Sequence, residues 1–289
     1  VILPKAKNPD DGEKEIVVVE DGPSADRLID WDPKHPITQA FQKDLGHPEI
    51  QRLIIGAKAR TEGEPGRIGR WLDLFVNRVR PSAPMMTEIL KKRGLPAEMI
   101  FITMIESSYF KTDGFPISTS QIKGRTRAEG ARGPWQFMPA TAKSRGMKIA
   151  DSKTGQCDER DNLETSTNAA ADYFKDLFAK FPIDPKLAIM AYNAGQGSVV
   201  KALKCQEHTN PKDCVGKPVT AAEYLQNLRS LQGNIDFWDL LDLNIVNKES
   251  REYVIKFVAA QYLGREPARN GFAYDGKTYP VAPVVCPRK

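Results

Sequence analysis

The stretch Gly94-Leu95-Pro96-Ala97-Glu98-Met99-Ile100-Phe101-Ile102-Thr103-Met104-Ile105-Glu106-Ser107 decides how the fold is read. Pro96 stands where a helix tolerates proline, in its first turn, because a backbone N–H there would have no partner within the helix. From Met99 to Ile105 every residue except Thr103 is apolar. No face of such a helix suits water, so the segment must run through the middle of its domain. It ends on a carboxylate, Glu106. Burial against apolar side chains disfavours the charged form of a carboxyl and raises its pKa, which is what a general acid near neutral pH requires. The plainer alternative is a helix-end glutamate that points into water.

Working outward, apolar residues recur at helical spacing on the N-terminal side. Ile50, Leu53, Ile54 and Ala57 form one set and Ile68, Leu72, Phe75, Val76 and Val79 a second, which predicts two amphipathic helices. Pro84 and Thr87 open a third that runs through Leu90 and closes on Gly94 at the C′ position. On the C-terminal side the pattern predicts helices over 139–145, 166–181, 185–192, 198–203, 221–228 and 248–263. A short β-like run at 16–19 sits among prolines, glycines and acids. The expected architecture is mostly α: an extended arm over 1–47, a helical domain over 48–264, and a tail over 265–289 that packs on the domain.

Composition bounds the function. With 40% apolar and 27% charged residues, the chain is neither collagen-like, disordered nor membrane-spanning in character. No run of about 18 apolar residues occurs to suggest a transmembrane helix. A net charge of +5 and a pI near 8.9 favour anionic polymers. The basic residues are interspersed with acids except at Lys91-Lys92-Arg93 and over 123–132, so nucleic acid is not implied. The chain opens on Val1, which fits a protein whose leader has been removed and leaves membrane or wall anchoring through an N-terminal segment open.

Four cysteines, Cys157, Cys205, Cys214 and Cys286, lack CxxC spacing and have no histidine at zinc-ligand distance, so no metal site is expected. Cys205 and Cys214 bracket a polar loop that can close as a disulfide hairpin, which leaves Cys157 and Cys286 for a second pair. An even count suits an oxidising compartment, and the alternative is four unpaired buried thiols.

Two further segments carry groups suited to sugars. In Gly133-Pro134-Trp135-Gln136-Phe137-Met138-Pro139, the rings of Trp135 and Phe137 offer flat faces to pyranoses, and the Gln136 amide both donates and accepts. A proline-bounded core loop is the competing explanation. Ala191-Tyr192-Asn193-Ala194-Gly195 ends a helix in a phenol and an amide, as a cleft-lining terminus or as a core Tyr beside a capping Asn.

Glu-Ser at 106–107, GPWQFMPATA at 133–142 and AYNAG at 191–195, in that order, resemble family 1 lytic transglycosylases. The likeness is closest to the membrane-bound lytic transglycosylase D subgroup. Lys92-Arg93-Gly94-Leu95-Pro96 stands where that subgroup has its lead-in, and Lys248-Glu249-Ser250-Arg251-Glu252-Tyr253-Val254 resembles its late Glu-Thr-Arg-x-Tyr-Val segment. The resemblance implies a lysozyme-like helical domain of the goose-type and soluble transglycosylase kind. It also implies an enzyme that cuts the MurNAc-β-1,4-GlcNAc bond of peptidoglycan and leaves 1,6-anhydro ends.

By the same resemblance Glu106 is the single acid/base, and Ser107 is the hydroxyl that orients substrate or carboxylate. Gln136, Tyr192, Asn193 and Tyr253 line the cleft, and Glu249 matches the glutamate of the late motif. No cofactor is called for. The expected partner is the glycan strand, the expected state a monomer, and the expected location the periplasm or cell envelope. Goose-type lysozymes hydrolyse on this fold, so a muramidase and an inactive glycan-binding wall protein are the alternatives. The chain departs from the family by reading Gly-Pro-Trp-Gln for Gly-Leu-Met-Gln or Gly-Leu-Trp-Gln and by a long loop from Tyr109 to Arg132.

Overall fold

The computed structural model of the chain describes residues 27–59, 64–107, 130–149, 158–205, 237–238 and 248–272. Helices dominate. Among the described residues the only β pairing is an isolated antiparallel bridge between Arg132 and Phe137. The chain divides into two compact units, one within Val1–Tyr173 together with Lys256–Lys289 and one within Phe174–Ile255.

The first unit is organised around the apolar stretch. Helix α1 (Pro36–Gln42) is followed by α2 (Pro48–Ala59), α3 (Glu64–Val79) and α4 (Ala83–Lys92). Gly94 ends α4 in the left-handed region at φ 71°, where a side chain would be strained. Its N–H donates to the Lys91 carbonyl at 2.9 Å, and the Leu95 N–H donates to that of Leu90 at 3.1 Å. That is the paired closure of a Schellman motif, and the predicted C′ glycine is in place.

Pro96 then holds extended backbone and caps a 3-10 turn, Ala97–Ile100, before α5 (Phe101–Ser107) begins. The predicted single helix is therefore a 3-10 turn followed by an α-helix, a tightening common at helix starts. Met99, Ile100, Phe101, Ile102, Thr103 and Met104 have no exposed surface. Phe75 of α3 packs on Phe101 with ring centroids 5.3 Å apart.

The last long helix, α10 (Lys248–Arg265, numbered after α6 to α9 below), reaches the same ring. A Cβ on Gly264 would lie 2.2 Å from Phe101 Cε1, so only glycine permits this approach. Phe257 meets Phe41 of α1 edge-on at 5.3 Å.

Residues 27–47 were expected as part of an extended arm, but they carry α1 and bury Leu28, Ile29, Phe41 and Leu45. Past residue 264, Arg265 and Phe272 are buried as well. Arg265 Nη2 pairs with Glu98 Oε1 at 3.1 Å, Thr38 Oγ1 donates to the same oxygen at 3.0 Å, and the guanidinium lies over the Trp31 ring at 4.3 Å. Burial pulls the Arg265 pKa down, against the pull of Glu98. The run at 16–19, most of the 109–132 loop and the helix expected over 221–228 lie outside the described residues.

Shorter elements complete the chain. Helix α6 (Pro139–Ser144) starts on proline, and a 3-10 turn, Glu159–Asp161, leads into α7 (Leu163–Lys180). The second unit draws on α8 (Pro185–Ala194) and α9 (Gln196–Cys205). Asp184 caps α8 by accepting from the Lys186 N–H at 2.9 Å, and its second oxygen accepts from the Phe237 N–H at 2.9 Å. Leu187, Ala188, Ile189, Met190 and Ala191 are buried, with Leu177, Phe181 and Val199, which makes this unit a small helical core of its own.

Candidate active site

In the first unit, α5 delivers Glu106 at its C-terminal end. Four residues of that helix, Phe101 to Met104, are wholly buried, and Glu106 itself is half-buried. The carboxylate thus sits where a rigid apolar helix emerges from the core. Ser107 beside it is buried, and its hydroxyl lies 2.9 Å from the Thr103 carbonyl and 3.0 Å from that of Pro134. Sequence resemblance assigned this hydroxyl to substrate or carboxylate. In the structure it also links the end of α5 to the Gly133–Phe137 turn.

That turn is tightly made. Arg132 and Phe137 exchange backbone hydrogen bonds of 3.2 and 3.1 Å, and the Gln136 N–H donates to the Gly133 carbonyl at 3.1 Å. Pro134 falls at the second position of the four-residue turn, where its fixed φ fits and no N–H is required. The donor that a proline costs this loop is therefore one the loop does not use. Gln136 takes a left-handed backbone conformation at φ 49°, and its Nε2 donates to the Gly133 carbonyl at 2.6 Å. A non-glycine residue held there stores strain, a feature that clusters at functional sites.

Trp135 and Phe137 are placed differently from the expectation that their faces stack on sugars. Trp135 is 0% exposed and donates its indole N–H to Thr167 Oγ1 at 3.0 Å, while Phe137 is buried with its centroid 6.4 Å from that of Tyr173. A ring with no accessible face cannot hold a pyranose. Both are core anchors that fix the two ends of the turn, with Gln136 between them.

An ionic clamp beneath the turn escaped the sequence reading. Arg160 is fully buried and grips Asp158 through two bonds, Nε to Oδ1 at 2.9 Å and Nη2 to Oδ2 at 2.7 Å. Its remaining nitrogen, Nη1, donates to the carbonyls of Gly130 at 2.6 Å and Phe137 at 3.0 Å. Arg132 pairs with Asp161 through its Nε at 2.6 Å and also through Nη2. Burial works against the charge on Asp158, but the Arg160 fork outweighs it and holds the pKa low. For Asp161 burial prevails over Arg132, and the pKa is raised.

Gly133 permits this closeness. Its φ is 79°, and a Cβ there would lie 1.8 Å from the Arg160 carbonyl oxygen. The charged run Asp158-Glu159-Arg160-Asp161 was the available signal, since three carboxylates around a single arginine just ahead of a helix need partners once buried.

In the second unit, Tyr192 and Asn193 stand half-buried at the C-terminal end of α8. The Tyr192 ring stacks on Phe174 at 4.5 Å and 14°, and Asn193 Oδ1 accepts from Ser250 Oγ at 2.9 Å. Glu249 is exposed in the first turn of α10, a position favoured by the helix dipole, while Tyr253 is buried. The Asn193–Ser250 link joins two of the quoted motifs, and Ser250 is a participant that sequence reasoning passed over. Cys157, Cys214, Cys286 and the side chain of Cys205 lie outside the described residues. Among the described residues no cluster of three or more His, Cys, Asp or Glu is arranged to hold a metal ion.

Comparison with known proteins bears on the first unit and part of the second. Residues 84–215 match the family described as the transglycosylase SLT domain. The membrane-bound lytic murein transglycosylase D of Escherichia coli K12 is 28% identical over 182 residues, covering 63% of this chain and 31% of the relative. The peptidoglycan transglycosylase gp16 of Escherichia phage T7 is 43% identical over 68 residues, 24% of this chain and 5% of that protein. The chain thus spans under a third of the length of the E. coli relative.

Proposed function

We propose that the protein, whose residues 84–215 match the transglycosylase SLT domain family, is a lytic transglycosylase of peptidoglycan with Glu106 as its one acid/base. One observation carries the assignment: a half-buried carboxylate emerges from an apolar helix whose first four residues are wholly buried, beside a strained, clamped turn that holds the Gln136 amide.

In the proposed reaction the protonated Glu106 donates its proton to the oxygen between MurNAc C1 and GlcNAc as that bond breaks. The N-acetyl group of the muramic residue assists the departure. The Glu106 carboxylate then removes the proton from the C6 hydroxyl of the same sugar, and O6 closes on C1 to give the 1,6-anhydro end. No water is consumed and the enzyme regains its starting state.

A hydrolytic glycosidase usually needs a second carboxylate to activate water or form a covalent bond. Here the nucleophile belongs to the substrate, and holding both reacting groups on one sugar gives the entropic advantage of an intramolecular step. Gln136, Tyr192, Asn193, Tyr253 and Glu249 are proposed to bind the glycan. The name of the E. coli relative and the even cysteine count support a cell-envelope or periplasmic location, and the proposal includes a monomer with Cys205–Cys214 and Cys157–Cys286 paired. Mass analysis after alkylation without reduction tests the pairing, which four alkylated thiols would refute.

The test of function is mass spectrometry of muropeptides released from purified peptidoglycan. Wild type is expected to yield anhydromuropeptides. Glu106→Gln is expected to lose at least about 100-fold of the rate, as for removal of a general acid/base, with an unchanged thermal unfolding midpoint. Reducing ends from the wild type would instead make the chain a muramidase, and release by neither protein would leave a glycan-binding wall protein.

A further inference from the structure

One arginine holds both ends of the turn that carries Gln136. Arg160 Nη1 donates to the Gly130 carbonyl ahead of the turn at 2.6 Å and to the Phe137 carbonyl at its end at 3.0 Å. The Arg160 backbone closes on the middle of the same segment, where a Cβ at Gly133 would lie 1.8 Å from its carbonyl oxygen. The guanidinium is itself fixed, because Nε and Nη2 meet the two oxygens of Asp158 at 2.9 and 2.7 Å and the whole side chain is buried. Lysine could not replace it. A single ammonium on a flexible stem reaches the carboxylate or the carbonyls, whereas the planar fork spans both at once.

What the clamp holds is the strained residue. Gln136 keeps its left-handed backbone, φ 49°, only where the surroundings over-determine it. Its Nε2 donates to the Gly133 carbonyl at 2.6 Å, so the amide moves with the turn. Gln136 keeps 8% of its surface exposed, and a small shift of the turn therefore decides whether a glycan meets it. The turn is in turn registered against the end of α5, where the Ser107 hydroxyl lies 3.0 Å from the Pro134 carbonyl. We propose that Arg160 is a positioning residue for the reaction, which sets through the 130–137 segment where Gln136 stands beside Glu106. This rests on the reading that Glu106 cleaves the glycan and Gln136 binds it.

The test is a double-mutant cycle on the full chain. Values of kcat and KM for anhydromuropeptide release from soluble glycan strands are measured for wild type, Arg160→Lys, Gln136→Ala and the double variant. All four are assayed below their unfolding midpoints, with circular dichroism reporting the folded fraction. Arg160→Lys is expected to lower kcat/KM by about 10- to 100-fold, the scale of a small misplacement in an active site. In the Gln136→Ala background the same substitution should change kcat/KM by about twofold or less, because the group it acts through is gone. A merely structural role would give the same loss in both backgrounds. That result, wild-type kcat/KM in Arg160→Lys, or wild-type activity in Gln136→Ala would overturn the proposal. None of them touches the assignment of Glu106, which turnover by Glu106→Gln tests separately. Should Arg160→Lys not fold, the isosteric Asp158→Asn keeps the guanidinium but weakens its fork, and the same dependence on Gln136 is expected and the same outcomes count against it.

Discussion

Trp135 shows how one residue type serves two readings until its surroundings are known. An exposed indole beside a glutamine is a sugar platform, and a buried indole that donates to Thr167 is a core anchor. The structure decides for the anchor. Trp135→Ala is therefore expected to cost about 3–5 kcal/mol of folding stability, the range for deleting a large buried aromatic. It should appear as a large fall in thermal midpoint, whereas a lost sugar platform would raise KM at unchanged stability. Ser107→Ala should cost about 1–3 kcal/mol by leaving a buried carbonyl short of its donor. The setting of Glu106 at the end of a buried apolar run was legible from sequence because Met99 to Ile105 are apolar at every position but Thr103. The link from Ser107 to Pro134 was not, since the two lie 27 positions apart along the chain.

At the scale of elements, the turn at 133–137 depends on the 3-10 segment at 159–161. Asp158 and Asp161 respond to pH in opposite senses. The Asp158 pKa is lowered in the folded state, so its contribution to stability is full above the unfolded carboxyl value and is lost as pH falls through the lower folded one. The Asp161 pKa is raised, so its contribution is full below the unfolded value and declines as pH rises through the folded one. Wild type is expected to lose stability below about pH 4, the ordinary aspartate range, and Asp158→Asn should flatten that acid limb. At neutral pH, Asp158→Asn should also destabilise more than Asp161→Asn, because it strips the fork from a wholly buried Arg160. Thermal unfolding of the three proteins across acidic and neutral pH checks both statements, and a wild-type acid limb retained in Asp158→Asn would contradict the first. Helices α2 to α10 were readable from apolar spacing, and the clamp was not, because charge pairs leave no periodic signal.

At the scale of the molecule, the first unit is closed by groups distant in sequence. Glu98 follows Pro96 in the first half of the chain, Arg265 ends α10, and Trp31 and Thr38 come from the segment expected as an arm. A fragment of residues 48–264 would leave Glu98 buried without its cation and remove Phe41 from Phe257. It is expected to melt well below a fragment of residues 27–272, and Glu98→Ala in the full chain should cost about 3–5 kcal/mol, as for a buried ion pair missing one partner. Comparable midpoints for the two fragments would show that the helical pattern alone marks the boundary. The sequence by itself determined the helical class, the central burial of α5, the Gly94 closure and the position of Glu106, because each follows from local periodicity or from the backbone chemistry of glycine and proline. Only the tertiary structure decided which aromatic rings are buried, which arginine clamps the turn and where the first unit ends, because burial and ion pairing depend on segments that meet only after the chain has folded.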